Sequence, residues 1–358
     1  MFILSIPTMA LILLYLFLMK NGPLTVKLSS QRKPFLDIVG LEVGAALSEG
    51  VPAVRLRKRE NEIELLSAGF LKLQDALPET EDAAQQSHPI WLLPSQFQAL
   101  HAALAVSSKQ SFLRHASGSG DETPDKRQTA FRTVSRTAAP DLPPLVAGLP
   151  EFQAAWAARI LPEGRKPTAC SLQLSSAAAL NGLTTAPAFL SAGGTVAALF
   201  VFPEYTALAA FQESRLVLYR EHPVGYVHLR SAVSTQMGID IALADSVLDD
   251  TLIDPTPIIE PVLRPLFRQV EISADFLSRR RNCKTTNFLL CGLPSGATYW
   301  STVFSHMLNL PLIVCPTLDG VKRAVRATQK NAPPPLSKAQ EQLLMVAYGA
   351  ARAVLEDV

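Results

Sequence analysis

Residues Phe288 to Val321 hold the spacing with the clearest chemical content. The run FLLCG-LPSGA-TYWSTVFSHMLNLP-LIVCP-TLDGV reads as an apolar strand, a Gly/Pro/Ser turn and a helix. A break at Asn309-Leu310-Pro311, a second apolar strand and a Leu318-Asp319-Gly320-Val321 loop follow. Strand, glycine turn, helix and strand in that order build a crevice at the carboxyl end of a sheet, and such crevices face nucleotides. Many α/β folds contain the unit, so its weight rests on the rest of the chain. The other reactive side chains are scattered. His88, His101, His115, His222, His228 and His306 form no HxH or HExxH pair. His222 and His228 stand six apart across a turn, a poor spacing for a shared metal. There is no GxSxG elbow, and Pro294-Ser295-Gly296 reads as a turn serine. Asp249, Asp250 and Asp254 read as loop acids. Arg279-Arg280-Arg281 reads as a solvated helix end that complements the helix dipole. The residues themselves assign no catalytic group and no metal site.

The chain that must position this unit has 358 residues, enough for about two or three domains. Its apolar fraction of 48% is ordinary for a packed protein, and a net charge of +2 leaves no electrostatic footprint for nucleic acid. Cys170, Cys283, Cys291 and Cys315 contain no CxxC pair and read as reduced, buried thiols rather than a zinc or disulfide framework. Residues 1–20 form an apolar N-terminal segment. Met1 to Met19 carry no charge, and Lys20, Lys27, Arg32 and Lys33 follow. Either this is a transmembrane helix, whose positive flank keeps the body in the cytoplasm, or the true start is Met19. A cleaved signal peptide fits poorly, because no basic residue precedes the apolar run.

Period-two alternation predicts a meander of short strands between Leu36 and Leu73. Pro89–Leu93 reads as a strand and Phe97–Ala105 as a short amphipathic helix. Residues 107–143, polar and rich in Ser, Thr and Arg, read as a flexible or weakly ordered insertion. Helices are expected at Glu151–Leu161 and at Ser175–Leu183, the latter with a serine cap, and a strand at Ser171–Leu174. Three strands with short turns, Thr195–Phe202, Thr206–Phe211 and Leu216–Glu221, must be antiparallel neighbours. Helices at Val227–Met237, Ile241–Asp249 and Ile258–Arg281 follow, then the strand–helix–strand unit. A Pro333-Pro334-Pro335 joint leads to a last helix, Lys338–Leu355.

Both halves therefore open with a three-strand meander and continue into helices. That repetition is the plan of the actin and sugar-kinase superfold: an α/β, two-lobed actin-like (ribonuclease H-like) fold. On this plan residues 35–190 are the first lobe, with a divergent insertion at about 74–143. Residues 191–335 are the second lobe, and 336–358 a C-terminal helix returning to the first.

The second half resembles the PilM-like proteins of type IV pilus assembly, relatives of the division protein FtsA. The stretch from Ala192-Gly193-Gly194-Thr195-Val196 through Gly225, the Ile258–Arg281 helix, Phe288–Gly292 and Leu312–Val321 follows that family's order. Gly40-Leu41-Glu42-Val43-Gly44 looks like its first phosphate hairpin, usually Gly-x-Asp-x-Gly. By this resemblance Gly40, Glu42, Gly44, Gly292 and Gly296 are the nucleotide-binding positions, and the cofactor is ATP or none. The departures are large. Glu42 stands for the aspartate that orients metal-bound water. Phe200 and Phe202 stand for Asp and Gly of the second hairpin, where backbone N–H groups approach phosphate. Leu293 and Pro294 interrupt the glycine run of the adenosine turn, and Pro294 removes a donor.

The resemblance thus implies a degenerate, non-catalytic scaffold of a type IV pilus or type II secretion-like machine, at the cytoplasmic side of the inner membrane. Its partner would be an inner-membrane assembly protein (PilN-like) gripped through a short cytoplasmic peptide. An active actin-fold ATPase or kinase-like enzyme is the alternative, and a membrane-anchored division-type filament a third reading. Homo-oligomerisation stays open.

Overall fold

Apolar runs broken by short turns fold the first described segment into three antiparallel strands. They are β1 (Leu36–Val43), β2 (Val51–Arg59) and β3 (Glu62–Leu71). The computed structural model describes residues 36–44, 50–60, 62–72, 77–87, 91–108, 110–115, 129–134, 142–161, 167–249, 253–292, 297–309, 312–315, 318–319, 321–323 and 336–356. The apolar segment Met1–Met19 lies outside them, as do Leu293, Pro294, Gly296 and the Pro333–Pro335 joint. Among the described residues no helix is long and apolar enough to cross a membrane.

After β3 come α1 (Glu81–Gln86), β4 (His101–Val106), β5 (Phe112–His115), β6 (Thr129–Val134), β7 (Leu145–Pro150), α2 (Glu151–Arg159) and β8 (Ala169–Leu174). Then come α3 (Ser175–Leu183), α4 (Pro187–Ser191), β9 (Thr195–Val201), β10 (Thr206–Gln212) and β11 (Arg215–His222). The chain continues through α5 (Tyr226–Met237), α6 (Ile241–Asp249), α7 (Thr256–Arg281), β12 (Thr285–Cys291), α8 (Ala297–Leu308), β13 (Leu312–Val314) and β14 (Lys322–Arg323). It ends in α9 (Lys338–Gln342) and α10 (Met345–Glu356).

The two large sheets repeat one topology. The first runs β14-β3-β2-β1-β4-β8 and the second β11-β10-β9-β12-β13. In each, an antiparallel meander hands its first strand to a parallel neighbour, β4 beside β1 and β12 beside β9. One apolar core joins the first sheet, α3, α10 and the inward face of the second sheet. A second lies on the outer face of that sheet under α5 to α8, where α7 buries Ile259, Leu263, Leu266, Phe267, Val270 and Leu277.

Five sequence expectations are corrected. Residues 107–143 are not wholly irregular: β5 and β6 flank β7 as a separate three-stranded antiparallel sheet. The expected helix at Phe97–Ala105 is instead a single tight turn, Ser95–Phe97, followed by strand β4. His101-Ala-Ala-Leu-Ala-Val is apolar at nearly every position because β4 is a central strand covered on both faces, so it carries no two-residue alternation. Trp91–Leu93, expected as strand, forms none. The last helix breaks at Leu343-Leu344, and α3 starts without a serine cap, Ser175 being its first helical residue.

Candidate functional site

The cleft between the two large sheets is where the resemblance would put a nucleotide. Glu42 points into it from β1, and its register partner on β4 is Ala105. Only 4% of Glu42 is exposed. Burial pushes its carboxyl up to about 8, and Ser175, which closes no hydrogen bond of normal geometry, draws it back only in part. Among the described residues no cation pairs with it. Gly292 follows β12 with φ +75°, a conformation that favours glycine, and lines the same space. Gly44 ends β1 with φ +91°, and a Cβ there would lie 2.3 Å from the Ser107 carbonyl oxygen.

Gly40 does something else. It sits mid-strand between Val54 and Ala103, and a Cβ on it would lie 1.9 Å from the Ala347 carbonyl oxygen. Its lack of a side chain lets α10 rest directly on β1. Gly296 lies outside the described residues. The structure therefore brings Glu42 and Gly292 to one cavity, leaves Gly44 at the end of β1 beside Ser107, and gives Gly40 a packing task.

The opposite wall is aromatic. Phe200 and Phe202 are 2% and 4% exposed; their ring centroids lie 6.4 Å apart, and Phe202 stacks on Tyr205 at 4.6 Å. The joint between α9 and α10 closes the space from below with Leu343, Met345 and Val346. What remains is a cavity of about 30 Å³, room for about two waters. The first amides of α5, which could otherwise hold an anion, are already engaged. Tyr226 N–H donates to the Phe202 carbonyl at 3.2 Å and Val227 N–H to the Pro203 carbonyl at 3.0 Å. Gly225 permits this: a Cβ there would sit 2.3 Å from the Pro203 oxygen.

A second polar group stands beside the cleft, one that the sequence reading named at a strand end but did not place in a site. Glu221 on β11 accepts from the Tyr219 hydroxyl at 2.7 Å and from the Leu113 N–H of β5 at 3.4 Å. Burial pushes the Glu221 carboxyl up to about 7, while these bonds and Ser176 oppose the rise. Tyr205 and Tyr219 are held well above the usual tyrosine range, by burial first and by the Glu221 charge second. The available signal was Tyr219 and Glu221 two apart on one strand, hence on one face. The closing joint at Leu343–Val346 gave no such signal, because its apolar residues continue a helical pattern.

The sequence matches no protein-family model and no curated protein. Solved structures do resemble it. A "PilM-PilN type IV pilus biogenesis complex" chain superposes with a TM-score of 0.65 at 16% identity, over 89% of this chain and 99% of that one. MreB 5 of Spiroplasma citri bound to AMPPNP gives 0.45 at 10% identity, covering 91% and 98%. The archaeal actin homolog Ta0583 gives 0.42 at 13% identity, covering 90% and 100%. The first of these, with the repeated sheet topology, shows that this chain has an actin-like α/β fold.

Proposed function

We propose that this chain is a non-catalytic actin-like scaffold of a type IV pilus or type II secretion-like assembly. It works at the cytoplasmic face of the inner membrane and binds the cytoplasmic tail of a PilN-like membrane partner. The similarity to a PilM-PilN complex chain over most of both molecules supports the assembly assignment. The observation that carries the non-catalytic part is the filled cleft: Phe200, Phe202 and the Leu343–Val346 joint leave about 30 Å³. Small-ligand sites occupy about 300–1,000 Å³. Phosphoryl transfer needs donors and metal ligands aimed at developing charge, and here the second hairpin offers two phenyl rings. Two measurements on the full chain test the reading. Calorimetry with Mg·ATP should give no binding heat, and affinity capture from native membranes should recover a pilus or secretion component. Micromolar Mg·ATP binding would remove the first half, and capture free of any such component the second.

A further inference from the structure

Cys291 is the last residue of β12 and Cys315 follows the last residue of β13. The two strands are parallel neighbours in register, with Leu290 opposite Val314, and Cys315 N–H donates to the Leu290 carbonyl at 2.9 Å. The next pair across the strands is therefore Cys291 and Cys315. Both are 0% exposed, and the Cys315 thiol lies close enough to help burial hold the Cys291 thiol above its ordinary range. On its other side Cys291 stands opposite Phe200 of β9. The row Phe200–Cys291–Cys315 runs across the carboxyl ends of three strands, on the face turned to the first core. The remaining cysteines are placed otherwise. The Cys283 thiol donates to Gln212 Oε1 at 2.9 Å, and Cys170 is exposed on the edge strand β8.

We propose that Cys291 and Cys315 are a site of reversible oxidation, joining as a disulfide at the inner lip of the cleft. Neighbouring strands lie about 4.8 Å apart, inside the Cα separation of about 4.4–6.8 Å that a disulfide spans. Both residues sit where their strands end, and Gly292 with φ +75° follows one of them, so small backbone shifts can bring the sulfurs together. The co-reactant is a hydroperoxide; neither cysteine lines the cavity beside the Phe200 ring, so it reaches the thiols through local opening of the strand ends. One thiol gives up its proton, and its sulfur attacks the peroxide oxygen, leaving a sulfenic acid and an alcohol or water. The second thiol then displaces hydroxide from that sulfur, and water leaves. Two thiols and one hydroperoxide become one disulfide, one alcohol or water, and one further water. The reaction is slow, because burial holds the Cys291 thiol well above the ordinary range and the thiolate is the attacking form. The product ties the end of β12 to the end of β13, on the side of the cleft that Gly292 lines.

The test uses the full chain with Cys170→Ser, which removes the exposed thiol. The folded protein is treated with hydrogen peroxide, quenched, alkylated in denaturant, digested and weighed. The expected product is one peptide pair linked through Cys291 and Cys315, two hydrogens lighter than the sum, and lost on reduction with dithiothreitol. Cys291→Ala and Cys315→Ala should each abolish the linked pair and leave the other thiol open to alkylation. Recovery of both cysteines as alkylated thiols, or a link that forms only in urea, would overturn the proposal. The mapping of the unsubstituted pair decides the question even where an alanine variant fails to fold.

Discussion

Gly349 in α10 rests against Ala178 in α3 so closely that a Cβ on it would lie 1.9 Å from the Ala178 carbonyl oxygen. The contact is reciprocal, since a Cβ on Gly182 of α3 would lie 2.7 Å from the Met345 carbonyl oxygen. Lys58 and Gln173 fasten α10 further, donating to the carbonyls of Leu355 and Ala350 at 2.8 and 2.9 Å. These contacts hold α10 so that the joint preceding it fills the floor of the cleft.

Gly349→Ala tests that packing. Helix propensity alone favours alanine by about 1 kcal/mol. The backbone oxygen at 1.9 Å cannot rotate away, so overpacking wins and the variant should lose about 2–3 kcal/mol in urea unfolding. Gly193→Ala is the control, because a Cβ there meets nothing within 4 Å. Its change should stay within about 0.5 kcal/mol. Equal effects at both sites would refute the close-packed interface.

Stability should fall as pH rises from about 5 to about 8.5. A glutamate in the unfolded chain titrates near about 4.3, whereas Glu221 and Glu42 are pushed up to about 7 and about 8 when folded. Between those limits the folded state holds more protons than the unfolded one, so the free energy of unfolding declines with pH. The contribution is whole below the unfolded value and is lost as pH passes the folded ones. One pKa unit is worth about 1.4 kcal/mol, so for the two carboxyls together the decline should be of the order of several kcal/mol. Glu42→Gln should flatten the upper part of the profile in urea melts at pH 5, 7 and 8.5. A variant profile parallel to that of the unsubstituted chain would rule out Glu42 as a source of the slope.

Arg55 and Asp37 join β2 to β1 through two bonds, Nε to Oδ1 at 2.8 Å and Nη2 to Oδ2 at 2.5 Å. Both side chains are mostly covered, at 17% and 12% exposure, so the pair is worth more than a surface bridge. Arg55→Ala should cost about 1–3 kcal/mol, with Arg57 at 3.8 Å retaining part of the pairing. In a double-mutant cycle, adding Asp37→Asn should cost less than the sum of the single changes. Strict additivity would show that the two side chains do not interact.

Much of this fold was legible because the second meander obeys simple rules. Short turns at Pro203–Tyr205 and Gln212–Arg215 force antiparallel pairing, and the helices at 241–249 and 256–281 carry clear apolar stripes. The first half was harder. β4 carries no alternation because it is covered on both faces, and β5 to β7 are short strands separated by long polar stretches. The site was legible in one dimension only. The family resemblance flagged Glu42 and Gly292 and, as departures from it, Phe200 and Phe202. The non-local contacts stayed hidden. Gly40 meets Ala347, 307 positions away along the chain, and Glu221 meets Leu113, and no local pattern reports such a contact.

Phe202 separates two explanations of a closed cleft. It is 4% exposed, lines the cavity and stacks on Tyr205 at 4.6 Å. Phe202→Ala should therefore cost about 3–5 kcal/mol, as removal of a buried phenyl group usually does. The enlarged cavity should still not bind Mg·ATP. Removing the ring leaves the Phe202 and Pro203 carbonyls in place, and these carbonyls occupy the Tyr226 and Val227 amides that would have to turn to phosphate. Phe200 also keeps its ring where a metal ligand would be needed. Unfolding melts and calorimetry on the same variant read both consequences. If the variant binds Mg·ATP, the ring alone blocked the nucleotide, and the engaged α5 terminus is not a barrier.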